Sequence, residues 1–351
     1  MSNNPEAAKW FDLSLRPVAI GSLPHTNVSE ACELIASTLP EIPFWPQLPK
    51  LSYLESMYVQ YSEKFPGIVI EKERERIYVD RSGSPDFDAA LERLYIAYLE
   101  NDIDQYGMSQ EYATGLHHVL ANGAGTPRAI KGHITGPISF GLTVTDQNRR
   151  AILYDETLAD ALAKFLRLKV AWQEKMLKAI CPRTIMFIDE PYMSAFGSAF
   201  VSVSREQVIG YLTEVMNGIS GLKGVHCCGN TDWSVLLSTP LDILNFDAYS
   251  FTESLTLYPL EVRAFLERGG ILAWGIVPND AEKLDVETGD SLVERLNLGM
   301  DLLARKGIDR ELIMSRALVT PACGLGSCSV EVAARALSLL AEVSAKMRIG
   351  R

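Results

Sequence analysis

The feature that most constrains this chain is an alternation of two periodicities. Short β-rich runs that end in Gly, Pro or a polar residue recur eight times: "RPVAIGSLP", "EIPFWPQLP", "RAIKGHITGP", "TIMFIDEP", "LKGVHCCGN", "ILNFDAYSF", "GILAWGIVP" and "ALVTPACGLG". Between most of them lie stretches with apolar residues at three-and-four spacing, such as "DFDAALERLYIAYLEND", "TLADALAKFLRLKVAWQEKML", "SREQVIGYLTEVMNGI" and "GDSLVERLNLGMDLLARKG", which predict helices. Near-continuous apolar strands alternating with amphipathic helices specify a parallel sheet covered by helices. Eight such units predict an α/β chain folded as a (β/α)8 TIM barrel, with an insertion between strands 2 and 3, where "GIVIEKERERIYVD" reads as a charged hairpin. No Pro/Ser-rich linker or repeat divides the 351 residues, so one barrel domain over 1–351 is expected, and 47% hydrophobic residues can fill its core. A doubly wound open sheet is the rival architecture, but no GxGxxG follows the first run.

A barrel gives positions meaning, because chemistry in this architecture sits at the C-terminal ends of the strands and in the loops that follow. Ser22 and His25 follow the first run, His133 and Thr135 end the third, and Asp189 and Glu190 end the fourth; His226 and Cys228 end the fifth and Cys323 the eighth. Side chains alternate along a strand, so His226 and Cys228 share one face and Cys227 takes the other. Imidazole and thiolate two residues apart on one face suit tetrahedral Zn2+, and Cys323 reaches the same barrel mouth. Three such ligands with an exchangeable fourth position describe a catalytic site.

Charge and composition exclude several classes. With 44 acidic against 33 basic residues the net charge is -11, and no basic run offers a surface for nucleic acid. No stretch approaches the about 20 apolar residues of a membrane span, and "MSNNPEAAKWFDLSLRP" has no sorting-signal pattern, so a cytoplasmic protein is expected. Six cysteines are too few for a disulfide framework in a chain of this length. Cys32, Cys181 and Cys328 show no special spacing.

At this point the residues carry a resemblance. In order along the chain, "AIGSLPHT", "HITGPISF", "MFIDEPYM", "VHCCGN" and "VTPACGLG" resemble the catalytic barrel of cobalamin-independent methionine synthase, within the wider group that holds uroporphyrinogen decarboxylase and zinc methyltransferases that use corrinoid proteins. The resemblance implies a zinc held by His226, Cys228 and Cys323, and an amino-acid thiol, homocysteine, held by Ile20, Gly21, Ser22 and by Asp189. Zinc deprotonates a thiol whose unperturbed pKa is about 8.5, and the resulting thiolate attacks a methyl group in line.

Departures from the family pattern bear on the fourth ligand and the methyl donor. The family carries a Glu ligand near the end of the sixth strand; here "DAYSFTES" puts Phe251 or Thr252 there, and Glu253 one place or so later is the candidate. A folate-stacking Trp is replaced by Thr143, and a His that protonates the leaving nitrogen of the folate is replaced by Gly275, so that His25 or His133 would have to supply the proton from another strand. A methyl-corrinoid needs no such acid, so a corrinoid protein enters as a partner beside methyltetrahydrofolate. Two other readings stand: a porphyrinogen-type decarboxylase, and a non-catalytic barrel that binds a corrinoid partner. The aromatic segment with Trp45, Tyr53, Tyr58 and Tyr61 is either core packing or a lid over the mouth.

Overall fold

Proline decides where this sheet is regular. In the computed structural model, which describes residues 13–199 and 201–349, the third to eighth apolar runs form one parallel sheet of six strands: β3 (Ile130–Thr135), β5 (Thr184–Asp189), β6 (Leu222–Cys227), β7 (Ile243–Phe246), β8 (Ile271–Val277) and β9 (Ala317–Pro321), neighbours in that order. The opening residues 1–12, over which the sorting-signal reading was made, lie outside the described residues. The first two runs do not form ladders. They enter as extended segments that bridge the sheet's edges in parallel, Pro17 opposite Val319 of β9 and Phe44 opposite Lys131 of β3, and meet each other at Ser22 and Gln47. Pro17 and Pro24 punctuate the first run and Pro43, Pro46 and Pro49 the second. Proline has no N–H to give to a ladder, so pairing is reduced to single bridges with bonds such as Val18 N–H to Val319 O (2.9 Å) and Gln47 N–H to Gly21 O (3.0 Å). The fold is thus α/β with a curled parallel sheet, six of its eight expected strands being regular.

The expected helices form as Phe87–Glu100, Glu156–Lys178, Arg205–Met216 and Gly289–Arg305. Two of them start with reciprocal capping boxes, Ser204 with Gln207 and Thr288 with Ser291, which satisfy backbone donors that have no partner within the helix. Inside the curl a small apolar cluster that includes Val18, Ile42, Ile185, Phe187, Ile243 and Leu318 fills the lower half; a larger cluster packs the outer sheet face against the helices. The insertion holds the expected hairpin, β1 (Ile68–Glu71) against β2 (Arg76–Val79), turning through Glu75 with φ 47°, and a two-residue strand β4 (Thr145–Asp146) pairs in parallel with β2. No helix among the described residues is long and apolar enough to cross a membrane.

Candidate active site

β5 and β6 lie in register with Asp189 opposite His226, and β6 and β7 with His226 opposite Asn245, so three polar side chains stand in a row at the mouth end of the sheet. The strand phase is as expected: Cys227 is fully buried on the other face, its thiol hydrogen-bonded to Gly229 O (3.5 Å) and pushed up to about 12 by burial. Cys228 and His226 face inward. Cys323 arrives from the loop after β9, and the ligating atoms of His226, Cys228 and Cys323 all lie within 4.8 Å of one another. That loop rests on the first segment: Gly326 N–H donates to Ser22 Oγ (3.1 Å), and a Cβ at Gly324 would stand 2.4 Å from the same oxygen and have to displace it.

His226 is oriented by a partner the sequence did not suggest. Asn245 Nδ2 donates to the Ala273 carbonyl (2.8 Å) and to Thr320 Oγ1 (2.7 Å). A carbonyl only accepts, so the amide's NH2 must face it, and Asn245 Oδ1 therefore accepts from Nδ1–H of His226. The ring is thereby held with Nδ1 protonated and Nε2 directed away from Asn245, the orientation that a metal-ligating histidine requires. Hydrogen bonding with Cys323, opposed by burial and aided by His226, brings the Cys228 thiol down to about 4, while the bond to Cys228 and then burial raise Cys323. Burial opposes a charged ring at His226, but the hydrogen bond and charge of Cys228 and the charge of Asp189 outweigh it and raise its pKa. A site that already stabilises a thiolate beside an oriented imidazole fits a soft, nitrogen- and sulfur-preferring ion such as Zn2+.

These residues line a pocket of about 280 Å³ together with Ile20, Ser22, Gln47, Met57 and Asp189. Asp189 Oδ1 has no hydrogen-bond partner among the described residues; burial raises its carboxyl to about 6, against the opposing charges of His226 and Lys131. A larger cavity of about 340 Å³ opens elsewhere, between Ile35, Phe44, Val119 and Arg128, and none of the expected site residues lines it.

The other expected site residues are distributed as follows. Ile20 and Ser22 reach the pocket wall, while Gly21 lies against the ring of His133. His133 itself is 1% exposed, stacked on Trp45 with ring centroids 4.1 Å apart, and does not line the pocket; burial, then Lys131, hold its pKa well below the usual value, so it stays neutral. Trp45 and Tyr61 are therefore core residues, Tyr61 donating to His133 O (2.9 Å). Glu190 braces the next helix, accepting from the backbone of Ile138 (2.9 Å) and Ser139 (2.7 Å) at the start of Pro137–Thr143. Glu253 is not brought to the cluster: it is exposed on the helix Ala248–Leu255. The carboxylate at the end of β7 is Asp247 instead, 9% exposed, accepting from Ser250 N–H (2.9 Å), with its pKa raised by burial and, in lesser part, by the charge of Cys228. The strand-end rule that found Asp189 would have found Asp247, had the sixth run been ended at Phe246. Gly275 is enforced by packing, because a Cβ there would meet Phe246 O at 2.5 Å where the β8–β9 register shifts.

No family model matches the chain. Among curated proteins, methionine synthase of Methanocaldococcus jannaschii is 26% identical over 223 residues, 63% of this chain and 66% of that protein. The chain is similar to methionine synthase. Among solved structures, a B12-independent methionine synthase from Shewanella in complex with selenomethionine aligns over 96% of this chain and 98% of its own, with TM-score 0.58 and 16% identity. A methyltransferase from Methanosarcina mazei covers 96% of this chain and 94% of its own, with TM-score 0.54 and 12% identity. The resemblance carried by the five ordered motifs is thus met by a methionine synthase in sequence and by the same architecture in structure, although the aligned region spans just under two thirds of the curated relative.

Proposed function

We propose that this methionine-synthase-like chain is a zinc-dependent methyltransferase whose acceptor is a thiol, homocysteine or a close analogue, and whose donor is a methyl-corrinoid presented by a corrinoid protein. We read the whole chain as one (β/α)8 barrel in which the two bridged segments serve as strands one and two. The observation that carries the functional reading is the convergence of His226, Cys228 and Cys323 on one wall of a pocket that Asp189 also lines.

Zinc in that site would hold the acceptor's sulfur as a thiolate at neutral pH. The protein's own residues do the rest. Asn245 keeps Nδ1 of His226 protonated and its Nε2 available. Asp189, whose Oδ1 has no internal partner, receives the acceptor's ammonium group, and Ile20 and Ser22 fix the amino-acid end on the opposite wall. Methyl transfer forms the S–CH3 bond as the bond between methyl and donor breaks, with that electron pair leaving on the donor.

The donor assignment follows from what the pocket lacks. Gly275 supplies no proton to a leaving amine, and neither candidate histidine lines the pocket: His25 is buried, and His133 is neutral, stacked on Trp45 and against Gly21. General acid catalysis contributes about 100- to 10,000-fold, and cobalt needs none because it leaves as Co(I) without protonation. Parallel assays with methylcobalamin and methyltetrahydrofolate at matched concentrations test this: faster methylation of homocysteine from the corrinoid is expected, and efficient turnover with the folate alone would overturn the donor assignment.

A further inference from the structure

Lys131 stands on β3 beneath the pocket, fully buried, and none of the roles above uses it. Its Nζ donates to the backbone carbonyl of Ile20 and lies 4.5 Å over the ring of Phe187, and it makes no ion pair with a carboxylate among the described residues. A buried ammonium is costly unless paired, and one carbonyl and one ring face are modest compensation. Its two connections run in one direction. Ile20 and Asp189 both line the pocket, Lys131 touches the first directly and acts on the second through its charge, and Asp189 Oδ1 is left without a protein partner.

We propose that Lys131 is a positioning residue for the acceptor: it ties the first extended segment to the sheet at Ile20 and sets the charge behind Asp189, so that the pocket selects thiols that carry an amino group. This rests on the thiol-methyltransferase reading. The acceptor's ammonium replaces the missing partner of Asp189, while Lys131 Nζ is engaged by Ile20 O and gives Asp189 Oδ1 no hydrogen bond. A thiol without an amine gains nothing from the arrangement.

The test compares homocysteine with 4-mercaptobutanoate, the same thiol acid without its amine, using the full chain, methylcobalamin as donor, and zinc content and circular dichroism measured on every variant. Lys131→Met is expected to raise KM for homocysteine about tenfold or more, the scale of one charged contact, with kcat changed by less than about threefold. KM for 4-mercaptobutanoate should not move, Lys131→Arg should recover most of the loss, and Lys131→Met should add little on top of Asp189→Asn, because the two act on one ligand group. Equal losses on both thiols, or effects of Lys131→Met and Asp189→Asn that add, would overturn the inference; should Lys131→Met not fold, Lys131→Gln serves in its place. If the unsubstituted chain methylates neither thiol, the methyltransferase reading itself falls, and equilibrium binding of the two thiols to the same variants then decides the role of Lys131.

Discussion

At the scale of single residues the site is a matter of proton placement. Asn245 can accept from His226 only because its NH2 is committed to Ala273 O and Thr320 Oγ1. Replacing Asn245 with Leu removes the acceptor that fixes the tautomer and is expected to weaken zinc binding about 10- to 100-fold, measured by competition with a chelating dye. Cys228→Ser and Cys323→Ser should each empty the site in elemental analysis, whereas Cys227→Ser should leave about one equivalent of zinc in place, since that thiol points into the helix layer. Zinc lost only from the Cys227 variant would reverse the strand phase on which the site depends.

At the scale of elements, buried lysines and close backbone contacts leave measurable signatures. Lys169, on the helix Glu156–Lys178, is fully buried with its Nζ on Glu63 O (3.1 Å) and over the Phe165 ring; burial lowers its pKa to about 7. A lysine that loses its proton near pH 7 when folded and near 10.5 when unfolded binds more protons in the unfolded chain between those values. Stability therefore rises with pH across that window, and the deficit is fully present below about 7. Lys169→Met should flatten this rise, so its advantage in melting temperature over the unsubstituted chain shrinks from pH 7 to pH 10; an advantage independent of pH would contradict the assignment. Gly275→Ala should cost about 1–3 kcal/mol in denaturant unfolding, because its Cβ has no room beside Phe246 O.

Elements also explain what could be read in advance. The third to eighth runs are apolar and lack internal proline until their ends, and each became a strand; the first two were equally apolar, but their prolines limited them to bridges. His226, Cys228, Cys323 and Asp189 were legible because strand alternation and strand ends are local features. Asn245 and Lys131 were not, since their roles depend on which residues stand opposite each other across β3, β5, β6 and β7. Glu253 stands apart from the cluster because β7 stops at Phe246, so Asp247 takes the mouth position and Glu253 turns outward on the following helix.

At the scale of the whole molecule, the candidate metal ligands come from β6, the residue that follows it and the loop after β9, while the core is packed independently by the sheet and its helices. Chelation should therefore lower the melting temperature modestly and leave the far-ultraviolet circular dichroism intact; collapse of secondary structure would mark the metal as structural. Three protein ligands would leave a tetrahedral Zn2+ one exchangeable position, which a substrate sulfur would take. Zinc-edge X-ray absorption on the zinc-loaded chain, before and after homocysteine, tests this most directly. Two sulfur ligands from Cys228 and Cys323 with nitrogen from His226 are expected before addition, and three sulfurs at about 2.3 Å after it. A spectrum unchanged by homocysteine, or a site with no affinity for zinc, would contradict it.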